Sequence, residues 1–240
     1  HDLGVTKQLV NRPIEAYMWH TVIVTATEWE NFFALRCPQY IGDVSNGETN
    51  GYMDFRSRKD FNRISHTDTS QWNEFDWLKA NKGQADIHMM AVAEAMWDAY
   101  NESQPKELQE GGWHIPFEDK INCQNWRELM GDPLIGSAEQ HDALLDEFNI
   151  KISTAMLARV SYTTVGEEKA VNYAKLLELH DNLAKSGHWS PMEHCARVMT
   201  VQEFNTCRST EIVKIENNYV MYRETPGVSG NFHGFIQYRK

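Results

Sequence analysis

No apolar run in this sequence approaches the ~18 residues that a membrane-spanning helix needs, and the patch at 22–24 is far too short. A mean hydropathy of -0.58 points the same way. The four cysteines, Cys37, Cys123, Cys195 and Cys207, lie far apart with no CxxC pair. That spacing excludes a disulfide scaffold and a zinc knuckle and reads as the reduced thiols of a cytoplasmic protein. The GxSxG of serine hydrolases, the P-loop and the GxGxxG turn are all missing, which removes the usual support for hydrolase, NTPase and Rossmann readings. Repeats and low-complexity tracts are lacking too, and solenoids and coiled coils go with them. Basic charge is scarce: 23 Lys and Arg stand against 34 Asp and Glu, for a net charge of -11. Such a balance repels a nucleic-acid backbone, so no polymer partner is expected. A small phosphorylated ligand needs only a few local arginines and a helix N-terminus. The opening HDLGVTKQLVNRP has neither the basic start and apolar core of a secretory leader nor an initiator Met. No leader is expected, and an upstream portion is.

What is present is an ordinary globular composition, 240 residues with 41% hydrophobic and 24% charged positions. The expectation is one domain around one sizeable core, with an insertion at about 38–84. TVIVTATEWENFFALR begins with a β-branched run and then sets Trp29, Phe32, Phe33 and Arg36 at helical spacing. Thr27 and Glu30 form an S/T-x-x-E capping box, which predicts a helix starting near Thr27. Residues 38–84 lose periodicity and fill with Gly, Asn, Asp, Ser and charge, the pattern of a functional loop or a mobile insertion. ADIHMMAVAEAMWDAYNES places Met89, Val92, Met96 and Tyr100 on one helical stripe. GGWHIPFEDK reads as a connection whose Trp113, Ile115 and Phe117 plug the core. A second long helix is predicted from about Glu167 to Lys185, with Val171, Ala174, Leu176, Leu177, Leu179 and Leu183 inward and Gly187 as its stop. ISTAMLARVSYTT reads as a helix-to-strand passage, and ARVMTVQEF alternates like a strand.

Ten histidines raise the question of a metal, and the tightest group is His188, Glu193 and His194 in GHWSPMEH. Zinc-binding helices space two histidines at i and i+4 around a Glu; here the gap is wider and Pro191 interrupts it, so no metal site is expected. Ser190 and Pro191 instead predict a helix start, with Ser190 as N-cap and Glu193 closing a capping box. The positive end of that helix would face an anion such as a phosphate or pyrophosphate. Arg36, just before Cys37 and Pro38, has two readings: a dipole partner at a helix C-terminus, or a fork of donors for a planar imide or carboxylate. Arg12 and Arg159 are either anion contacts or surface ion-pair partners.

Several segments together resemble the flavin-dependent thymidylate synthases, most closely the rearranged form typical of phage genomes. ARVSYTT at 158–164 followed by SGHWSPMEH at 186–194 is similar to that family's ARVSF or ARVSY block and its later GHxSPFEH. LVNRPIEAYMWHTVIVTATEWENFFALR at 9–36 resembles the block ending in NFLxLR, and QADIHMMAVAEAMWDAY at 84–100 resembles AQxEIRxLAxAM. The block ending in Arg36 precedes ARVSY, which is the rearranged order, and SGNFHGFIQYRK closes the chain. The likeness covers about half of the positions, in patches.

The resemblance implies an α+β fold, a mixed or antiparallel sheet flanked by long helices. It implies methylation of dUMP to dTMP, with methylene-tetrahydrofolate giving the carbon, FAD the hydride and NADPH the reducing power to restore the flavin. No protein nucleophile is expected, and the enzyme's work is positioning and polarisation. By motif position Arg36 matches the arginine on the uracil ring, catalytic and substrate-binding at once. Asn31, Ser161, His188, Ser190 and Glu193 match positions that line the FAD, and Arg12 and Arg159 are assigned to the nucleotide. The resemblance further implies a cytoplasmic homotetramer with shared active sites, in the host cytoplasm if phage-encoded. Two departures stand out. The family's RHRxxSxNxxSxR signature does not occur in these residues, and AQxEI becomes ADIHM, with Asp86 for Gln and His88 for Glu. They leave open a related hydroxymethylating enzyme and a non-catalytic nucleotide-binding or assembly homologue.

Overall fold

A computed structural model of the chain describes residues 21–46, 50–131, 136–160, 171–208, 213–215, 219–221 and 232–239. The fold class is α+β, with small antiparallel sheets and several helices. Length alone argues for one domain over 1–240, whereas the contacts divide the chain into two compact units, 26–107 and 1–25 with 108–240.

In the first unit, α1 (Glu30–Arg36) leads into a hairpin of β1 (Tyr40–Asp43) and β2 (Tyr52–Phe55), then α2 (Arg58–Ile64), α3 (Glu74–Ala80) and α4 (Ile87–Glu102). The predicted start of α1 at Thr27 is corrected: Trp29 is the N-cap, without a side-chain cap bond. A larger correction concerns 38–84, whose described residues, 38–46 and 50–84, form a hairpin and two short helices and not a loop without structure. Tyr40, Phe55, Phe61 and Trp77 are buried together, with Trp72 packed against them. The ring centroids of Tyr40 and Trp77 lie 5.1 Å apart and those of Trp72 and Trp77 4.8 Å apart, edge to face as ring quadrupoles prefer. The segment hides from a periodicity search because its elements are only four to seven residues long. Short elements require precise punctuation. Ser57 caps α2 by accepting from Asp60 N, and Asn73 with Asp76 makes a reciprocal capping box on α3. Gly42 is needed for close approach, since a Cβ there would meet Ser65 Oγ at 2.5 Å and the Phe61 ring at 2.8 Å.

On α4 the helix was legible and its buried face was not. Met90 and Ala93 are buried, and Ala93 packs with Met96 and Trp97 on Phe33 of α1 and on Cys37, its C-cap. Met89, Val92 and Tyr100 stay 42%, 55% and 57% exposed, so three residues of the expected stripe are largely in solvent. Arg58 N donates to the Glu94 carboxylate at 2.6 Å and Trp97 Nε1 to Asp60 at 2.8 Å, which ties α2 to α4. Arg56 joins β2 to α1 through both oxygens of Glu30.

The second unit contains β3 (Trp113–His114), α5 (Trp126–Met130), α6 (Ala138–Leu157) and α7 (Tyr173–Ser186), then β4 (Ala196–Val198), α8 (Val201–Arg208), β5 (Val213–Ile215), β6 (Tyr219–Met221) and β7 (Phe235–Gln237). β3, β4 and β7 form an antiparallel sheet in that order, with Trp113 opposite Arg197 and Ala196 opposite Gln237; β5 and β6 pair separately. α6 and α7 pack on each other through Phe148, Ile152, Ala155 and Leu176. Ile115, Ile150, Leu157 and Cys195 form a second cluster, against which Trp113 and Phe117 pack as expected. Of the helix-to-strand passage read at 152–164, residues 152–157 are helical and complete α6, 158–160 leave the helix without forming a strand, and 161–164 lie outside the described residues. The predicted start of the next helix at 167 lies outside the described residues; α7 is described from Tyr173, with Asn172 as its cap. Val171 and Ala174 are exposed, and the inward line runs through Leu176 and His180. Gly187 stops α7 in the left-handed region at φ 75°, as predicted. ARVMTVQEF begins as β4 and then turns helical as α8.

Candidate functional site

The predicted site residues fall in three groups. Arg12 and Ser161 lie outside the described residues. Asn31 and Arg36 sit on α1 in the first unit, both exposed. Five positions at 100° each set them about 140° apart around the axis, so they project from different faces of that helix. Arg36 is its last residue, where a guanidinium complements the carbonyl end of the helix dipole. The apolar anchors Phe33 and Cys37 hold the helix down and leave Arg36 outward.

His188, Ser190 and Glu193 are brought together in the second unit, between α7 and β4, and Arg159 is exposed just past the end of α6. The SPME residues form a single 3-10 turn, Ser190–Glu193, with Trp189 as N-cap and no side-chain cap bond. The helix predicted there, with Ser190 as its cap, is thereby corrected. One turn followed by a strand carries little of the dipole that a phosphate would feel. What the turn does present is a set of side chains on a fixed base. Met192 is buried beneath it at 2% exposure and Cys195 just after it is fully buried, while Ser190 and His188 face solvent. Ser186 Oγ lies 2.8 Å from His188 Nδ1, so the imidazole is oriented from the end of α7. Glu193 pairs with Arg239, and its carbonyl accepts from Gln237 Nε2 at 2.8 Å. Neither Gln237 nor Arg239 was among the residues singled out from sequence. Their alternate spacing in FIQYRK was the available signal.

His194 closes the segment, its Nδ1 2.9 Å from Thr25 Oγ1. Burial holds its imidazole below the ordinary histidine range, and burial followed by the charge of His194 does the same for His114. Both are consequently neutral in the folded protein near pH 7. The Cys195 thiol is raised by burial, with Ser153 and Thr154 beside it, and burial pushes Cys37 up to about 11. Thiols so placed stay protonated and unreactive. Among the described residues no group of three His, Cys, Asp or Glu side chains is arranged to hold a metal ion.

Asp86, one of the two departures in ADIHM, caps α4 by accepting from His88 N and Met89 N. A helix start therefore accounts for that residue. An open cavity of about 840 Å³ lies elsewhere in the second unit, lined by Glu110, Thr200, Val201, Gln202, Asn205 and Thr206. Glu110 accepts from Val201 N there, and none of the predicted site residues lines it. Glu203 takes both ends of Arg197 and the Thr200 N–H, which hold its carboxyl down at about 2.

No family model, no curated protein and no solved structure matches this chain. No described helix is long and apolar enough to cross a membrane.

Proposed function

We propose that this protein is a flavin-dependent thymidylate synthase, methylating dUMP to dTMP. The observation that carries the reading is the coincidence of three blocks in the rearranged order: NFFALR ending at Arg36, QADIHMMAVAEAM, and ARVSYTT followed by SGHWSPMEH. When bound, FAD supplies the hydride, methylene-tetrahydrofolate the carbon, and NADPH the electrons that restore the flavin. The donor set at the 3-10 turn fits the polar parts of a flavin nucleotide: the Ser190 hydroxyl, a His188 ring oriented by Ser186, and a Glu193 charge offset by Arg239. Ser190 and His188 bind and orient the cofactor. Arg36 stabilises charge developing on the pyrimidine through two N–H donors, and Asn31, Ser161, Arg12 and Arg159 complete the binding of flavin and nucleotide. The exposed apolar residues Met89, Val92 and Tyr100 of α4 suit an assembly of several copies, a cytoplasmic homotetramer in this reading.

The test uses the full-length encoded protein. It binds FAD, shown by flavin absorbance, and releases tritium from carbon 5 of labelled dUMP, with a product mass of dTMP. Arg36→Ala lowers turnover by roughly 10²–10³-fold, the loss usual for a group that stabilises transition-state charge, and leaves FAD bound. Absence of both flavin and tritium release removes the reading. A heavier, hydroxylated product replaces it with the hydroxymethylating enzyme, and FAD binding without turnover with the non-catalytic homologue. A monomeric mass by light scattering refutes the tetramer.

A further inference from the structure

We infer that Gln237, at the end of β7, and Arg239, two residues beyond it, are positioning residues that hold the Ser190–Glu193 turn in its cofactor-binding shape. The inference rests on the flavin reading of that turn. A four-residue 3-10 turn has few backbone hydrogen bonds to keep its shape, among them the one from Met192 N to Trp189 O at its start. Its C-terminal carbonyl, on Glu193, has no helix to continue into, and an orphan of that kind needs a partner from elsewhere. Gln237 supplies it: the side-chain amide donates at 2.8 Å from a residue only 6% exposed. Two positions on, Arg239 pairs with the Glu193 carboxylate. Gln237 is the last residue of β7 and Arg239 lies just past the bend at Tyr238, so one short segment grips both the backbone and the side chain of Glu193.

The grip is itself anchored. Gln237 pairs with Ala196 in the β4–β7 register, and Tyr238 N donates to Cys195 O at 2.8 Å. Between Gln237 and Arg239, Tyr238 packs against Trp113 and places its hydroxyl 3.3 Å from Nε2 of the buried His180 in α7. The turn is thus held from the element that precedes it, the strand that follows it, and the last strand of the chain. Neutralising Glu193 has a chemical consequence as well. An unpaired carboxylate beside Ser190 would repel an anionic cofactor, and the Arg239 guanidinium removes that repulsion while keeping further donors for the anion.

The experiment compares the full-length protein with Gln237→Leu, Arg239→Ala and Arg239→Lys by FAD titration, dUMP titration and amide exchange at Met192, Glu193 and His194. Each of the first two variants weakens FAD by about tenfold, as loss of one buried or charged hydrogen bond does. dUMP affinity stays within about twofold, and exchange at the three amides quickens. Arg239→Lys recovers most of the FAD affinity because it restores the charge. Arg239 is exposed, so its variants keep the test informative if Gln237→Leu fails to fold. Arg239→Ala with unchanged FAD affinity and unchanged exchange overturns the inference, and so does an equal loss for FAD and dUMP. A wild-type protein that binds no FAD defeats the functional reading; the exchange rates then decide separately whether Gln237 and Arg239 hold the turn.

Discussion

The two units of this chain solve the burial problem in opposite ways. Residues 26–107 contain one long helix, and their remaining elements are four to seven residues each, too short to bury a continuous stripe. Rings do the work there: Tyr40, Phe55, Phe61, Trp72 and Trp77 pack on one another, mostly edge to face, and side-chain caps fix the starts of α2 and α3. In the second unit, α6 and α7 run for 20 and 14 residues and bury mostly aliphatic and small side chains along their length. An aromatic ring removes 150–250 Å² from water at a single position, so few residues suffice where elements are short. Long helices spread the same area over many smaller side chains, each contributing about 1.5–3 kcal/mol when fully buried.

The sharpest way to break that contrast is to remove one central residue from each core. Phe61→Ala, at a position 1% exposed, costs about 3–5 kcal/mol and strips amide protection across 40–80. Ile152→Ala, fully buried in α6, costs about 2–5 kcal/mol and acts on the protection of α6 and α7. The comparison fails if Phe61→Ala proves no costlier than a surface change in denaturant titration. A smaller effect probes the punctuation. Asn73→Ala removes the α3 capping box and costs about 1 kcal/mol, read as a shift in the denaturation midpoint of the first unit. If the midpoint does not move, the short helices owe their ends to packing alone.

The gentlest test is a pH slope. His114 and His194 belong to the second unit and are held below the ordinary value of 6.5 by burial. Below pH 6.5 the unfolded chain takes up protons that the folded chain resists, so stability falls as pH drops, until the depressed folded values are reached. In the first unit, Glu94 is raised from 4.5 mainly by burial, which has the opposite sign: its protonation on acidification favours the fold. Between pH 6.5 and 5, amide protection, relative to the intrinsic exchange rate at each pH, therefore falls around 113–114 and 192–198 while that around 40–80 holds steady. His114→Gln flattens the slope of the second unit. A slope unchanged in that variant refutes the assignment to His114.

Local signals read well wherever the physics was local. Gly187 ends α7 because a left-handed residue there closes the last turn, and no distant contact is needed to know it. The long helix around Ala85 was equally clear from its period. Its buried face was not, because both faces of α4 carry apolar residues and only the position of Phe33 and Cys37 chooses Ala93, Met96 and Trp97. At 38–84 the signal was present as individual aromatics but lacked a period, since elements of one turn or four residues never repeat one. For the candidate site, the motif located His188, Ser190 and Glu193 on one short segment, whereas the hold from Gln237 and Arg239 joins residues more than forty positions apart.

The sequence by itself determined that α7 stops at Gly187, that one long helix follows Ala85, and the balance of charge. The helix signals follow from the spacing of neighbouring residues, and the charge from a count. Only the tertiary structure decided that the described residues of 38–84 form packed elements, that the SPME residues make a single 3-10 turn with a strand after it, and that Gln237 and Arg239 grip that turn. Those outcomes depend on which distant side chain supplies the missing contact, and neither period nor composition carries that information.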